Sequence, residues 1–472
     1  MMIRTFLDAN FLLQTDTAVE LFRRHAERLP IADYHTRLNA DQIAANEPIA
    51  NLTALWIEPD AAKWRLMRAA GLTEDYITGN RPPYDKFERW AEILPQAMRH
   101  PIYHQAHMEL NRVFGIQETL KPSNARDIYE SCTAKLQTPE YLPQAILRRL
   151  RVETLATTDD PADTLEGHLA LHEQATTADD LRVLPTWAPS AVLDLRDAER
   201  YNAYLDRLGA AADVSITGYN DLLDALRKRH KAFGEAGCVA TLHRLAAFPD
   251  ALGADDAEVA DAALRKVREG GAPTDDECRS FRAMLLHDLA AMDAEEGRVQ
   301  MFHVGALRDL NPRIGKKSGP DAGFDAPSDR PTAEQMARFF AQLDAEGNLA
   351  QTIVSCYSPS ESQAVAGVAA CFADRGVRMH YAPAWWHIGR PAFLEAQLDV
   401  LSAEGLVAQS VGFASGARTL LAPVRHEYFR RVVCDVFGRE VERGLLPAGD
   451  LSTIKRTIEN LCSTNARRLM DR

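Results

Sequence analysis

Three histidines and two arginines stand where acid–base chemistry on an anion is feasible. His35, His243 and His303 each lie at the end of a short apolar run, within PIADYH, CVATLH and VQMFH. An imidazole titrates near neutrality, so each can act as a general acid or base without a metal. Arg37, two residues after His35, and Arg418, closing SVGFASGAR, supply fixed positive charge suited to a carboxylate. Trp187, Trp385 and Trp386 follow two further runs and offer flat faces of the kind that sugar rings pack against. The expected catalytic groups are His35, His303 and Arg418, with Arg37, Trp187, His243, Trp385 and Trp386 lining the ligand. Neither a metal ligand set nor a cofactor motif accompanies them.

The runs that carry these residues recur along the chain. The first is the short strand expected from Pro30 to His35; seven more are Val152 to Thr158, Leu181 to Trp187, Cys238 to Thr241, Val299 to Gly305, Gln351 to Tyr357, Val377 to Pro383 and Val407 to Ala414. Most are followed by helical patterns, the signature of parallel strands with crossover helices. Eight such units predict an α/β fold, a distorted (β/α)8 barrel, rather than an open doubly wound sheet. Barrel active sites lie at the C-terminal ends of the strands, where the residues above are found.

The rest of the chain frames this barrel. A first helix, capped by Asp16, is expected to stop at Pro30, and the region from about 40 to 150 reads as a helical insertion after the first strand. Residues 1–472 then form a single barrel domain. The stretch Asn311 to Pro331 (NPRIGKKSGPDAGFDAPSDRP) lacks a phosphate-binding G-x-x-x-x-G-K-S/T and opens no obvious helix, so it reads as an active-site loop. His104 and His107 share a helical stretch without a carboxylate or cysteine at metal spacing and read as structural.

Composition narrows the function. With 54 Lys and Arg against 67 Asp and Glu, a net charge of −13 speaks against a nucleic-acid partner, and Arg148 to Arg151 read as a solvated helix face. The 7 cysteines are scattered with no C-x-x-C pair, the usage of a reducing compartment. The N-terminal apolar run is broken by Asp8 and Asn10, so neither a signal peptide nor a membrane span is expected and a cytoplasmic location follows.

A set of longer strings is more specific. PIADYH, KWRLMRAAGL, PIYHQAHMELNRVFGI, TTDDPADTLEGH, VLPTWAP, FHVGALRDLN, GPDAGFDA, WWH, VRHEYFRRVVC and TNAR run almost end to end. In order and spacing they resemble the uronate (glucuronate) isomerases of the amidohydrolase superfamily. The resemblance implies a (β/α)8 barrel that interconverts a hexuronate aldose and its ketose, a small-molecule sugar acid as partner, and a homo-oligomer.

The departures from that pattern are concentrated at the chemistry. The family's D-Y-H-x-H carries two metal-binding histidines; here His35 remains and Arg37 replaces the second. The family's T-D-S-R is Ser415-Gly416-Ala417-Arg418, the His-Tyr pair before K-W-R is Ala61-Ala62, the arginine after the strand-three tryptophan is Ala188, and the D-H after strand four is Leu242-His243. A guanidinium cannot ligate zinc and repels it, so tight metal binding is not expected. Arg308, Arg425, His426 and Arg430 also belong to family strings, where ion pairs around the last helix account for them equally well. Three readings follow: a uronate isomerase without tightly bound metal, a barrel running another proton transfer such as epimerisation, dehydration or retro-aldol cleavage, and a non-catalytic sugar-acid-binding or assembly homologue.

Overall fold

The computed structural model describes residues 5–175, 177, 180–373, 379–383 and 389–471. Among these residues nine strands are defined: β1 (Ile31–Asp33), β2 (Val152–Ala156), β3 (Arg182–Leu184), β4 (Ala240–Arg244), β5 (Val299–Val304), β6 (Ala306–Leu307), β7 (Ala326–Pro327), β8 (Thr352–Cys356) and β9 (Met379–Tyr381). Two parallel sheets, β1-β2-β3 and β4-β5-β8-β9, are joined through Trp187, which bridges to Asp159 on one side and to Thr241 on the other. Beyond β1 the chain at 416–417 closes against the first strand: Gly416 N–H donates to the His35 carbonyl (3.1 Å) and Arg37 N–H to that of Ala417 (2.7 Å). The result is the expected (β/α)8 barrel, distorted where the last segment meets the first.

That last segment is where the expected eighth strand differs. Val407–Gln409 forms a 3-10 turn, and the residues after it run beside β1 without a ladder. Gly412 (φ 73°) and Gly416 (φ 57°) take left-handed conformations that a continuous strand excludes. Side chains replace the missing ladder: Asp33, fully buried, accepts from Ser415 N–H (3.0 Å) and from the Ser415 hydroxyl, and lies 3.1 Å from His426 Nε2.

Seven α-helices fill the chain between β1 and β2: Ala40–Ala45, Leu52–Trp56, Ala61–Ala69, Pro83–Ile93, Pro101–Phe114, Ala125–Lys135 and Pro143–Arg149. Their starts are written in the sequence. Asn39, Asn51 and Asp60 cap three of them by accepting from the N–H of Gln42, Ala54 and Ala62, and three others begin with proline. The first helix, Asp16–Leu21, is capped by Thr15 instead of Asp16, which occupies its first turn. The expected loop after the fifth strand contains a helix, Pro312–Ser318, capped by Asn311, and a β6–β7 hairpin that pairs Ala306 with Pro327. The Asn-Pro start was the signal for it.

Two apolar clusters hold these parts together. One runs from Leu13 to Cys462, takes in Trp56 and Trp90 of the inserted helices, and packs helices on the outside of the strands. The other fills the barrel: Ala32, Tyr34, Ala156, Leu184, Leu242, Met301 and Ile353 meet there, plugged from below by Leu469 and Met470 of the last helix. Strand period two assigns each residue to one cluster or the other. No helix among the described residues is long and apolar enough to cross a membrane.

Candidate active site

Strand parity decides which polar side chains enter the barrel. On β5, Met301 packs in the inner cluster, so His303 shares its inward face. On β4, Leu242 points inward, which puts Arg244 on the same face and sends His243 outward. His35 follows a bend after β1 and meets His303 edge to face, with ring centroids 4.8 Å apart. The Thr158 hydroxyl, donating to the Thr36 carbonyl (2.7 Å), lies 3.5 Å from His35 Nδ1.

Opposite these rings, four arginines converge on one carboxylate. Asp321 lies 2.8 Å from Arg37, 3.0 Å from Arg244, and 3.9 Å from both Arg308 and Arg418. Arg308 also pairs with Asp325 (3.0 Å). Burial would raise the Asp321 carboxyl, but Arg37, Arg244 and Arg418 hold it well below the usual carboxylate range. Burial lowers the Arg37 guanidinium to about 9, with Asp321 opposing and Arg244, Arg418 and Arg308 adding to the fall. It remains cationic at neutral pH.

The same charges set the state of the two imidazoles. Burial, then Arg37, Arg244 and Arg308, push His35 down to about 3 against the pull of Asp33. Burial, His35 and the arginines hold His303 well below the usual imidazole range. Both rings are neutral at pH 7, and each can accept a proton once an anion enters beside it.

The donor set does not suit a divalent transition metal. His35 has one imidazole neighbour and several guanidinium groups, which are never ligands and repel a cation. Among the described residues, no three His, Cys, Asp or Glu side chains are grouped to hold a metal ion.

Two of the residues expected around the ligand are placed elsewhere. His243 is fully buried outside the barrel, stacked on Phe302 (5.1 Å) with Nε2 3.4 Å from Asp293, which also binds His230 (2.9 Å) and the Thr241 hydroxyl (2.7 Å). Trp187 is fully buried with its ring edge-on to His230 (4.6 Å), so no face is left for a sugar. Both follow from parity: the end of a run places a residue at the rim of the barrel, and alternation turns these two side chains outward. Trp385 and Trp386 lie outside the described residues. His35, His303, Arg37 and Arg418 are brought together. Arg244 and Asp321 join them unforeseen, although the inward Leu242 predicts Arg244 two residues on.

Just past β2, Asp159 accepts from the Thr157 hydroxyl (2.7 Å) and Thr186 N–H (3.1 Å), yet burial pushes its carboxyl up to about 7. A carboxyl raised on folding binds more protons in the native state, so its contribution is lost as pH climbs towards 7. Asp159→Asn keeps an acceptor and removes the titration. Its stability advantage is expected to grow from under about 1 kcal/mol at pH 4 to about 4 kcal/mol at pH 8, measured by urea unfolding. A constant difference across that range would show that Asp159 does not titrate near neutrality.

Comparison with known proteins agrees with the barrel and with the strings that run along it. The glucuronate isomerase family model matches residues 3–470. The chain belongs to the glucuronate isomerase family. The uronate isomerase of Phocaeicola vulgatus is 38% identical over 469 residues, 99% of each chain, and that of Cellvibrio japonicus 35% identical over 468 residues, 98% of each. The solved uronate isomerase of Thermotoga maritima superposes with a TM-score of 0.90 at 31% identity, covering 99% of this chain and 100% of its own. Within the glucuronate isomerase family, an aldose–ketose isomerase family, this chain has Arg37 after its first strand and Gly416 in its last barrel segment.

Proposed function

We propose that this chain interconverts the aldose and ketose forms of a hexuronate or closely related sugar acid at the His35–His303–arginine site, without a tightly held metal. The observation that carries this reading is the convergence of two neutral imidazoles with Arg37, Arg244, Arg308 and Arg418. The guanidinium groups bind the sugar's carboxylate and stabilise the oxyanion at carbons 1 and 2. One imidazole takes the proton from carbon 2, giving an enediolate. On the imidazole that proton exchanges with solvent, and a proton is delivered from it to carbon 1, while the hydroxyl proton on oxygen 2 passes to oxygen 1. Atoms and charge balance, and no oxidant is needed.

Charge bookkeeping supports the metal-free version. Arg37, Arg244 and Arg418 share Asp321 as their ion-pair partner among the described residues, a surplus of two positive charges. A uronate carboxylate and a developing enediolate together supply two negative ones. The altered-reaction reading rests on the small residues Ala61, Ala62, Ala188 and Gly416. Ala188 packs in the inner cluster, and the Ala61 carbonyl is covered by Gly323, where a Cβ would stand 2.5 Å away.

A cytoplasmic location and a homo-oligomer accompany this reading. All seven cysteines are unpaired thiols, as a reducing compartment requires.

The test is an NMR time course with D-glucuronate and D-galacturonate in D2O, with chelator and with added zinc. Ketose formation, with deuterium entering carbon 1 or 2, is expected at a rate the chelator leaves unchanged. Loss of turnover with chelator and recovery with zinc would sink the metal-free step. No ketose and no exchange under any condition would remove these hexuronates as substrates.

A further inference from the structure

Four guanidinium groups do not gather unaided. Guanidinium groups that converge on one point repel one another, and the repulsion grows as water is excluded. Asp321 is the one carboxylate they share among the described residues, and three features of its loop show that its place is built. Its own backbone is left-handed (φ 58°) and is held by Asp309, whose side chain accepts the Asp321 N–H (2.8 Å). The loop beyond it is clamped by the inserted helix Ala61–Ala69: Arg65 donates to the Asp325 carbonyl (2.6 Å), and Arg68 donates to the Ala322 carbonyl and lies 4.3 Å over the Phe324 ring. Gly323 (φ 91°) makes this seat possible, since a Cβ there would stand 2.5 Å from the Ala61 carbonyl.

We infer that Asp321 is a positioning residue, a fixed counter-ion seated by the helix Ala61–Ala69, that holds Arg37, Arg244, Arg308 and Arg418 in the arrangement that binds a sugar acid and its enediolate. The inference rests on reading this cluster as the acid-binding and isomerising site. Asp321 touches neither the reacting carbons nor the imidazoles in this scheme; it acts through the guanidinium groups. A carboxylate that merely filled the place of the substrate's acid group would have the opposite effect, because removing it would free the cluster for anions.

Two readouts separate the inference from the reading beneath it: turnover of D-glucuronate, and binding of D-gluconate by calorimetry, which needs no catalysis. Asp321→Asn and Gly323→Ala, the second lifting the loop without altering a charge, are each expected to weaken gluconate binding at least 10-fold and lower kcat at least 10-fold. Asp321→Glu is expected to recover part of both. Thermal melts establish that each variant is folded, and if Asp321→Asn does not fold, Gly323→Ala carries the test. Tighter gluconate binding by Asp321→Asn would overturn the inference in favour of a carboxylate that competes with substrate. Unchanged kcat and binding in both variants would overturn it while leaving the isomerase reading standing. Gluconate binding that weakens as expected in a protein that never turns over glucuronate would uphold the inference and remove the isomerase reading. An unsubstituted protein that binds no gluconate would overturn both, and turnover by that same protein would confine the failure to the inference.

Discussion

Changing His303 to alanine is expected to cut hexuronate turnover by about 10²–10⁴-fold, with His35→Ala in the same range. The two rings touch at 4.8 Å and sit under the same arginines, so they act as a unit. The double variant is expected to lose little more than the worse single one. Multiplying losses would instead mean separate roles on separate protons. The charge environment adds a second signature. Because burial and Arg37 lower His35 to about 3, the acid limb of kcat/KM belongs far below the ordinary imidazole value. A limb near 6.5 would show that the guanidinium groups do not act on this ring. The same depression weakens the fold in acid: the unfolded chain protonates these histidines first, so their contribution is lost as pH falls below about 6.5.

Asp33→Ala is the substitution with the largest expected effect on stability, about 3–5 kcal/mol by guanidinium unfolding at pH 7. It leaves Ser415 N–H, the Ser415 hydroxyl and His426 without their buried acceptor. Burial raises the Asp33 carboxyl, but His426 and Ser415 outweigh it and the net shift is downward. That contribution is therefore present above the unfolded value near 3.8 and lost as pH falls through the lower folded one. A cost under about 1 kcal/mol would mean that the 415–417 segment is held mainly by the His35 and Ala417 carbonyls.

The barrel was legible because period-two runs and the helices between them report burial directly. Leu242, Met301 and Ile353 fall on the inner face as alternation requires. His35, Arg37 and Arg418 were legible because each ends or follows such a run. His243 and Trp187 misled because the end of a strand says where a residue is and only parity says which way it faces. Asp321 was illegible for another reason. It lies in a Gly-rich loop whose course depends on Arg65 and Arg68, some 250 residues earlier, a pairing no local pattern records. The last segment escaped because its bonds run through the Asp33 side chain instead of a ladder.

The bond from Ser415 to Asp33 spans 382 positions of the chain. At ordinary rates of synthesis, about 5–20 residues per second, β1 emerges from the ribosome roughly 20–80 s before the segment that closes against it. Throughout that interval Asp33 is a carboxylate without the Ser415 donors it accepts from, and the His35 carbonyl lacks the Gly416 N–H that donates to it. The first residues of the active centre, His35 and Arg37, are thus among the earliest parts of the protein to be made and among the last to be seated, and a chain interrupted before residue 415 carries both histidines of the site without the segment that closes on the first.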